Sequence, residues 1–90
     1  MELIQKLQIT HVYGLHARAS TKFVEIAQQF HSEVAVSRDS VNEVDGKSVL
    51  GILTLGAELD HEIVLRVNGP DAQECLDALV SLVQRDFDGV

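Results

Sequence analysis

The chain alternates between two hydrophobic rhythms, one of period two and one of helical period. From Met1 to Ile9 the rhythm is that of a strand: Leu3, Leu7 and Ile9 share a face, Ile4, Lys6 and Gln8 take the other, and Gln5 interrupts the inner one. Thr10 to Leu15 reads as a loop. From Ala17 onward Ala19, Phe23, Ile26, Ala27 and Phe30 recur at helical spacing, with Lys22, Glu25, Gln28 and Gln29 facing outward. This predicts a helix of about three and a half turns. His31 and Ser32 break it. Val34 and Val36 then alternate with Glu33, Ala35 and Ser37, predicting a second strand. Asp39-Ser40 supplies turn chemistry, and Val41 to Asp45 is a short, polar third strand suited to a sheet edge.

Ser48 is a good N-cap for the short apolar segment Val49 to Leu55, which Gly56 stops. Residues 57–61 form a loop. Glu62 to Val67 is a fourth strand with Ile63, Leu65 and Val67 inward. Asn68-Gly69-Pro70 turns the chain, and Asp71 is placed to cap a last helix whose inner stripe is Ala72, Leu76, Leu79, Val80 and Val83. The tail Asp86 to Val90 is expected to fray. The order is βαββαβα. Strands with one dry face need their helices on that side, which predicts a two-layer α+β sandwich formed by residues 1–90 as one domain. The order of strands in the sheet is not legible from this pattern.

Composition narrows the partners. The 90 residues are 46% apolar and carry a net charge of −7. An acidic chain is a poor match for nucleic acid or an anionic membrane, and suits partners with basic patches. The few aromatics, Tyr13, Phe23, Phe30 and Phe87, also weaken an RNA-binding reading. Cys75 is alone, so no internal disulfide forms, which fits a reducing cytoplasm. The N-terminus has no signal-peptide pattern, and no stretch is apolar enough for a membrane span, so a soluble protein is expected.

The stretch with the most chemistry is Gly14-Leu15-His16-Ala17-Arg18, where strand rhythm gives way to helix. His16, or the residue beside it, caps the helix. Helix mouths offer unpaired N–H groups and a partial positive charge, so they accept anions. A neutral imidazole there is a nucleophile next to an anion site. The fitting anion is phosphate, with the N–H groups of Ala17 and Arg18 receiving its oxygens and the Arg18 side chain adding charge-assisted hydrogen bonds. A cation in the first turn opposes the helix dipole, which favours a functional reason for Arg18. A group that must leave again calls for an exposed site without a deep pocket.

These residues resemble the active-centre motif of HPr, the histidine phosphocarrier of the bacterial phosphotransferase system. The run Lys47-Ser48-Val49-Leu50-Gly51-Ile52-Leu53-Thr54-Leu55-Gly56 resembles that family's regulatory serine and following short helix. The last helix after Gly69-Pro70 also agrees. The resemblance implies a four-stranded antiparallel sheet of order 1-4-2-3 in an open-faced β-sandwich. It implies a phosphoryl group taken from Enzyme I onto Nδ1 of His16, held with help from Arg18 and passed to Enzyme II A domains. It further implies phosphorylation of Ser48 by an HPr kinase, with a transcription regulator as a possible partner, and no cofactor. The chain departs from the motif at Ala19, where the family has proline, and at Tyr13, where a small polar residue is usual. His11-Val12-Tyr13 is closer to the nitrogen-related branch and the Ser48 region to the sugar branch.

Other residues complete the expectations. Leu50, Ile52, Leu53 and Leu55 are too many apolar groups for one buried stripe on so short a helix, so Leu50 and Leu53 are assigned with Lys47, Leu15 and Ala19 to a docking surface. His11, His31 and His61 read as surface histidines, with no spacing suited to a metal. Cys75 reads as a small apolar residue at the edge of the last helix's stripe. The chain is expected to be a monomer. Against the carrier stands a regulatory binding module of the same family, which would act through its phosphorylation state alone.

Overall fold

The computed structural model describes residues 1–39 and 41–90, so the Ser40 half of the expected Asp39-Ser40 turn lies outside the described residues. The strands are β1 (Glu2–Gln8), β2 (Glu33–Arg38), β3 (Val41–Asp45) and β4 (Glu62–Asn68); the helices are α1 (Ala17–Ala27), α2 (Val49–Leu53) and α3 (Ala72–Gln84). They follow in the order βαββαβα, and the sheet is antiparallel with order β1-β4-β2-β3. The polar strand β3 is an edge, as its composition asks.

Register follows from the alternation. Val67 of β4 lies between Leu3 of β1 and Val34 of β2, and Leu65 pairs with Val36. Ile63, Leu65, Val67, Val34 and Val36 are buried beneath the helices, in one cluster with Phe23, Ile52, Leu79 and Leu82. On the opposite face Arg66 donates to both oxygens of Glu43 (2.7 Å each) and to Glu2 (2.9 Å), crossing β2 over the small Ala35. Those hydrogen bonds hold the Glu43 carboxyl below its usual range. Charges of both signs thus cover the side that no helix covers.

Three expectations about boundaries change. Helix α1 ends at Ala27, short of Phe30, because Gln29 and Phe30 donate three residues back, to Ile26 and Ala27, and tighten the last turn. Helix α2 ends at Leu53 for the same reason: Leu55 and Gly56 donate to Ile52 and Leu53. Asp71 stands at the N-cap of α3 without capping it. Its carboxylate instead accepts from the backbone N–H of His31 and Ser32 (2.9 Å each) and from the Ser32 hydroxyl (2.6 Å). The residue therefore fastens the α1–β2 loop to α3, and the same donors, led by the Ser32 hydroxyl, lower its pKa.

The largest correction is the tail. Asp86, Phe87 and Asp88 adopt left-handed backbone (φ 53°, 55° and 60°), followed by Gly89 at 79°. This conformation is uncommon for residues with a Cβ and persists where surroundings enforce it. Here Phe87 is fully buried, Thr10 donates to Asp86, and Asp88 accepts from Arg85 at 2.8 Å. The tail is part of the core and returns the chain to the start of α1. Cys75 is likewise fully buried rather than at an edge, and burial pushes its thiol up to about 11.

Candidate functional site

The site is built where the β1–α1 loop meets the loop before β4. Ile9 donates to His61 O (2.9 Å), Asp60 to Ile9 O (2.8 Å) and Leu15 to Ala57 O (2.9 Å), so the two loops form one floor. Gly14 has a left-handed φ of 62°, and a Cβ there would collide with Ala57 O and the Glu58 Cα. Glycine is required on both counts. The turn delivers His16 to the N-cap of α1 in extended conformation, φ −74° and ψ −179°.

His16 caps with its ring. Nδ1 accepts from the N–H of Arg18 (3.1 Å) and of Ala19 (3.3 Å), while Nε2 lies 3.1 Å from the backbone oxygen of Val90. Two donors face Nδ1 and an acceptor faces Nε2, so the contacts select the tautomer with the proton on Nε2 and the lone pair on Nδ1. That lone pair lies at the positive end of the helix. The Arg18 amide, expected to be open for an anion, is engaged by the imidazole; among the described residues the Ala17 amide has no partner. The Nδ1 contacts are long and shared between two donors, so neither amide is held strongly.

Tyr13, His16, Arg18 and Val90 line a groove that is open to solvent, in which His16 itself is half-buried. The Arg18 side chain is exposed on its wall, with no ion pair or hydrogen bond among the described residues.

The remaining site residues divide. Ser48 caps α2 as expected, its Oγ accepting from Gly51 N–H at 3.0 Å. Leu50 is 75% exposed and Leu53 38%, with Ile52 beneath them in the core. Lys47 spends its amine on the carbonyl of Phe30 at 2.8 Å, joining α2 to the end of α1. Leu15 and Ala19, assigned to the docking surface, are 5% and 0% exposed and form part of the core. Their proximity to His16 in sequence does not expose them, because the turn points Leu15 inward and Ala19 belongs to the buried stripe of α1 with Phe23. His11 is a further correction: it is buried, not a surface residue, and its ring meets that of His16. The signal was there, since His11 continues the inward alternation of Leu7 and Ile9. Tyr13, Val12 and Leu59 add exposed apolar surface that the sequence reading did not assign. No group of three or more His, Cys, Asp or Glu suited to a metal occurs among the described residues, and no helix there is long and apolar enough to cross a membrane.

Comparison with known proteins adds to this geometry. A family model described as the PTS HPr component phosphorylation site matches residues 4–85. The chain is similar to the phosphocarrier protein HPr of Cupriavidus necator, 42% identical over 79 residues and covering 88% of both chains. It is similar also to the phosphocarrier protein NPr of Escherichia coli K12, 33% identical over 88 residues and 98% of both. Among solved structures, HPr-C-His from Thermoanaerobacter tengcongensis superposes with a TM-score of 0.90 at 34% identity over 96% of both chains.

Proposed function

This chain belongs to the HPr family of phosphocarrier proteins, and we propose that it carries a phosphoryl group on Nδ1 of His16. In this reading the group arrives from Enzyme I, itself charged by phosphoenolpyruvate, and leaves for an Enzyme II A domain. The work is done in the cytoplasm by a monomer, with residues 1–90 as a single carrier domain. One observation carries the proposal: Nδ1 lies against the amides of the helix mouth and Nε2 against the backbone oxygen of Val90, an arrangement that favours the proton on Nε2.

The chemistry follows from that placement. Nδ1 attacks phosphorus; the new N–P bond forms as the bond from phosphorus to the donor breaks. The ring keeps its Nε2 proton and gains positive charge, which the Val90 oxygen, as acceptor, stabilises. The amides of Arg18 and Ala19, released from Nδ1, turn to the phosphoryl oxygens, the Ala17 amide adds a third donor, and Arg18 supplies a cation. Delivery is the reverse, and an open groove leaves both faces of the group reachable. The protein is a carrier and its partners supply the rest of each active site.

The same reading extends to Ser48 as the acceptor of an ATP-dependent HPr kinase, with a transcription regulator reading the modified form. About two negative charges added beside Leu50 and Leu53 would then oppose docking of Enzyme I. A purely regulatory module would have no use for an imidazole oriented in this way. Incubation with Enzyme I and phosphoenolpyruvate tests the carrier. The expected result is a mass gain of one phosphate, acid-labile and base-stable, that His16→Ala abolishes. The same gain in His16→Ala would place the chemistry elsewhere.

A further inference from the structure

Hydrogen bonds to the two nitrogens of an imidazole lie in the ring plane. They decide which edge points where, and they resist tilting of the ring only weakly. A neighbouring ring packed against His16 can resist that tilt and keep Nδ1 aligned with the axis of α1. Two rings reach that of His16, and one of them is buried. The rings of His11 and His16 meet edge to face, with centroids 5.1 Å apart and planes at 75°. Such contacts between aromatic rings are favoured by their charge distribution.

His11 is itself immobilised from several sides. It is 6% exposed. Its Nδ1 accepts the N–H of Tyr13 at 3.0 Å, closing the loop, and its ring packs against Phe87 at 6.1 Å and Tyr13 at 5.8 Å. The Tyr13 ring also reaches His16, at 5.8 Å, but Tyr13 is 72% exposed. Of the two rings that reach His16, that of His11 is the one that also packs against the fully buried Phe87.

We propose that His11 is a positioning residue that braces the His16 imidazole, so that Nδ1 faces the Arg18 and Ala19 amides and Nε2 faces Val90. The inference rests on the carrier reading for its kinetic consequence, though not for its structural one. His11 has two contacts, and two substitutions separate them. His11→Asn keeps an acceptor for the Tyr13 N–H through an Asx-turn and removes the ring. His11→Phe keeps a ring and removes the acceptor.

The test follows the ring directly. In protein labelled with ¹⁵N-histidine, at a pH where both imidazoles are neutral, the parent should show His16 in the Nε2–H form with the Arg18 and Ala19 amide protons shifted downfield. His11→Asn should move both His16 nitrogens toward tautomer-averaged values and both amides upfield. It should also slow phosphoryl uptake from Enzyme I by ~10- to 100-fold, the scale of a misaligned reactive group. His11→Phe should restore the signals and most of the rate. Parent-like His16 signals in His11→Asn would overturn the proposal. So would a His11→Phe variant as perturbed as His11→Asn, since a ring at position 11 would then not be what aligns His16. If the parent takes up no phosphoryl group, the carrier reading fails while the nitrogen shifts still decide the role of His11.

Discussion

The two helix mouths of this molecule, at His16 and at Ser48, solve the same problem with different groups. Both caps are in extended backbone, and both side chains accept from amides of the first turn. Serine is among the preferred N-caps; imidazole is not. Helix α2 has five residues and only Ile52 buried, so it depends on the Ser48 hydroxyl. Helix α1 has eleven residues and buries Ala19, Ser20, Phe23, Val24 and Ala27. Its stability comes from that face, which leaves the cap position open to a residue suited to chemistry. The second difference is support. Ser48 needs only its own helix, whereas His16 has Val90 at Nε2 and the His11 ring packed against it. A hydroxyl needs a base before it attacks, and a neutral imidazole does not. On the proposed reading, the Ser48 hydroxyl would need an external enzyme to react, whereas the His16 ring would not.

The most severe way to break this comparison is to take the tail from α1. Phe87→Ala empties a fully buried site, and such substitutions cost about 3–5 kcal/mol. Urea unfolding should show that loss, and the His16 Nε2 signal should lose the mark of its Val90 contact in whatever fraction remains folded. Gly51 N–H, at the other mouth, should keep its protection from hydrogen exchange. A loss below about 1 kcal/mol, the middle of the range for point mutants, would mean that the tail rests on the site without helping to build it.

Arg18→Ala probes the same mouth with a smaller effect. A hydrogen bond to a charged group is worth about 1.5–3 kcal/mol, so phosphoryl uptake by His16 should slow by ~10- to 100-fold. Stability should hold or rise slightly, because a cation leaves the positive end of a helix. Rapid-quench uptake from Enzyme I measures the first and urea unfolding the second. Equal uptake by both proteins removes the guanidinium from the mechanism.

What could be read from the sequence followed from what repeats. Residues 62–67 show their buried face because the inward positions recur without interruption, and Ser48 shows itself by standing before an apolar segment. In 72–83 the period marks Ala72, Leu76, Leu79 and Val83, but it placed the partly buried Val80 in the stripe and left out the fully buried Leu82 and Cys75. Strand order does not repeat locally, and only the resemblance supplied it. Ala19 was assigned both to the buried stripe and to the docking surface; the period was the better guide, and nearness to His16 the poorer. His11 continued the inward alternation, but a polar residue in a loop reads as solvated unless its partners are known. Those partners, Phe87 and His16, come from the opposite end of the chain and the next element. The tail could not be read at all, since one phenylalanine among Asp86, Asp88 and Gly89 has no period.

Ser48→Ala is the gentlest of these changes and the one that bears most directly on the contrast. Losing the Oγ contact with Gly51 N–H should cost about 1 kcal/mol, the usual value of such a cap. The loss should be confined to α2, seen as faster exchange of the amides from Val49 to Ile52. His16 should take up its phosphoryl group at the parent rate, because no atom of Ser48 reaches the α1 mouth. Treatment with an HPr kinase and ATP should add a phosphate to the parent and none to the variant. If Ser48→Ala slows uptake at His16 before any kinase is present, the two mouths are coupled through the Lys47 link to Phe30, and their division of labour is not the independent one drawn from their contacts.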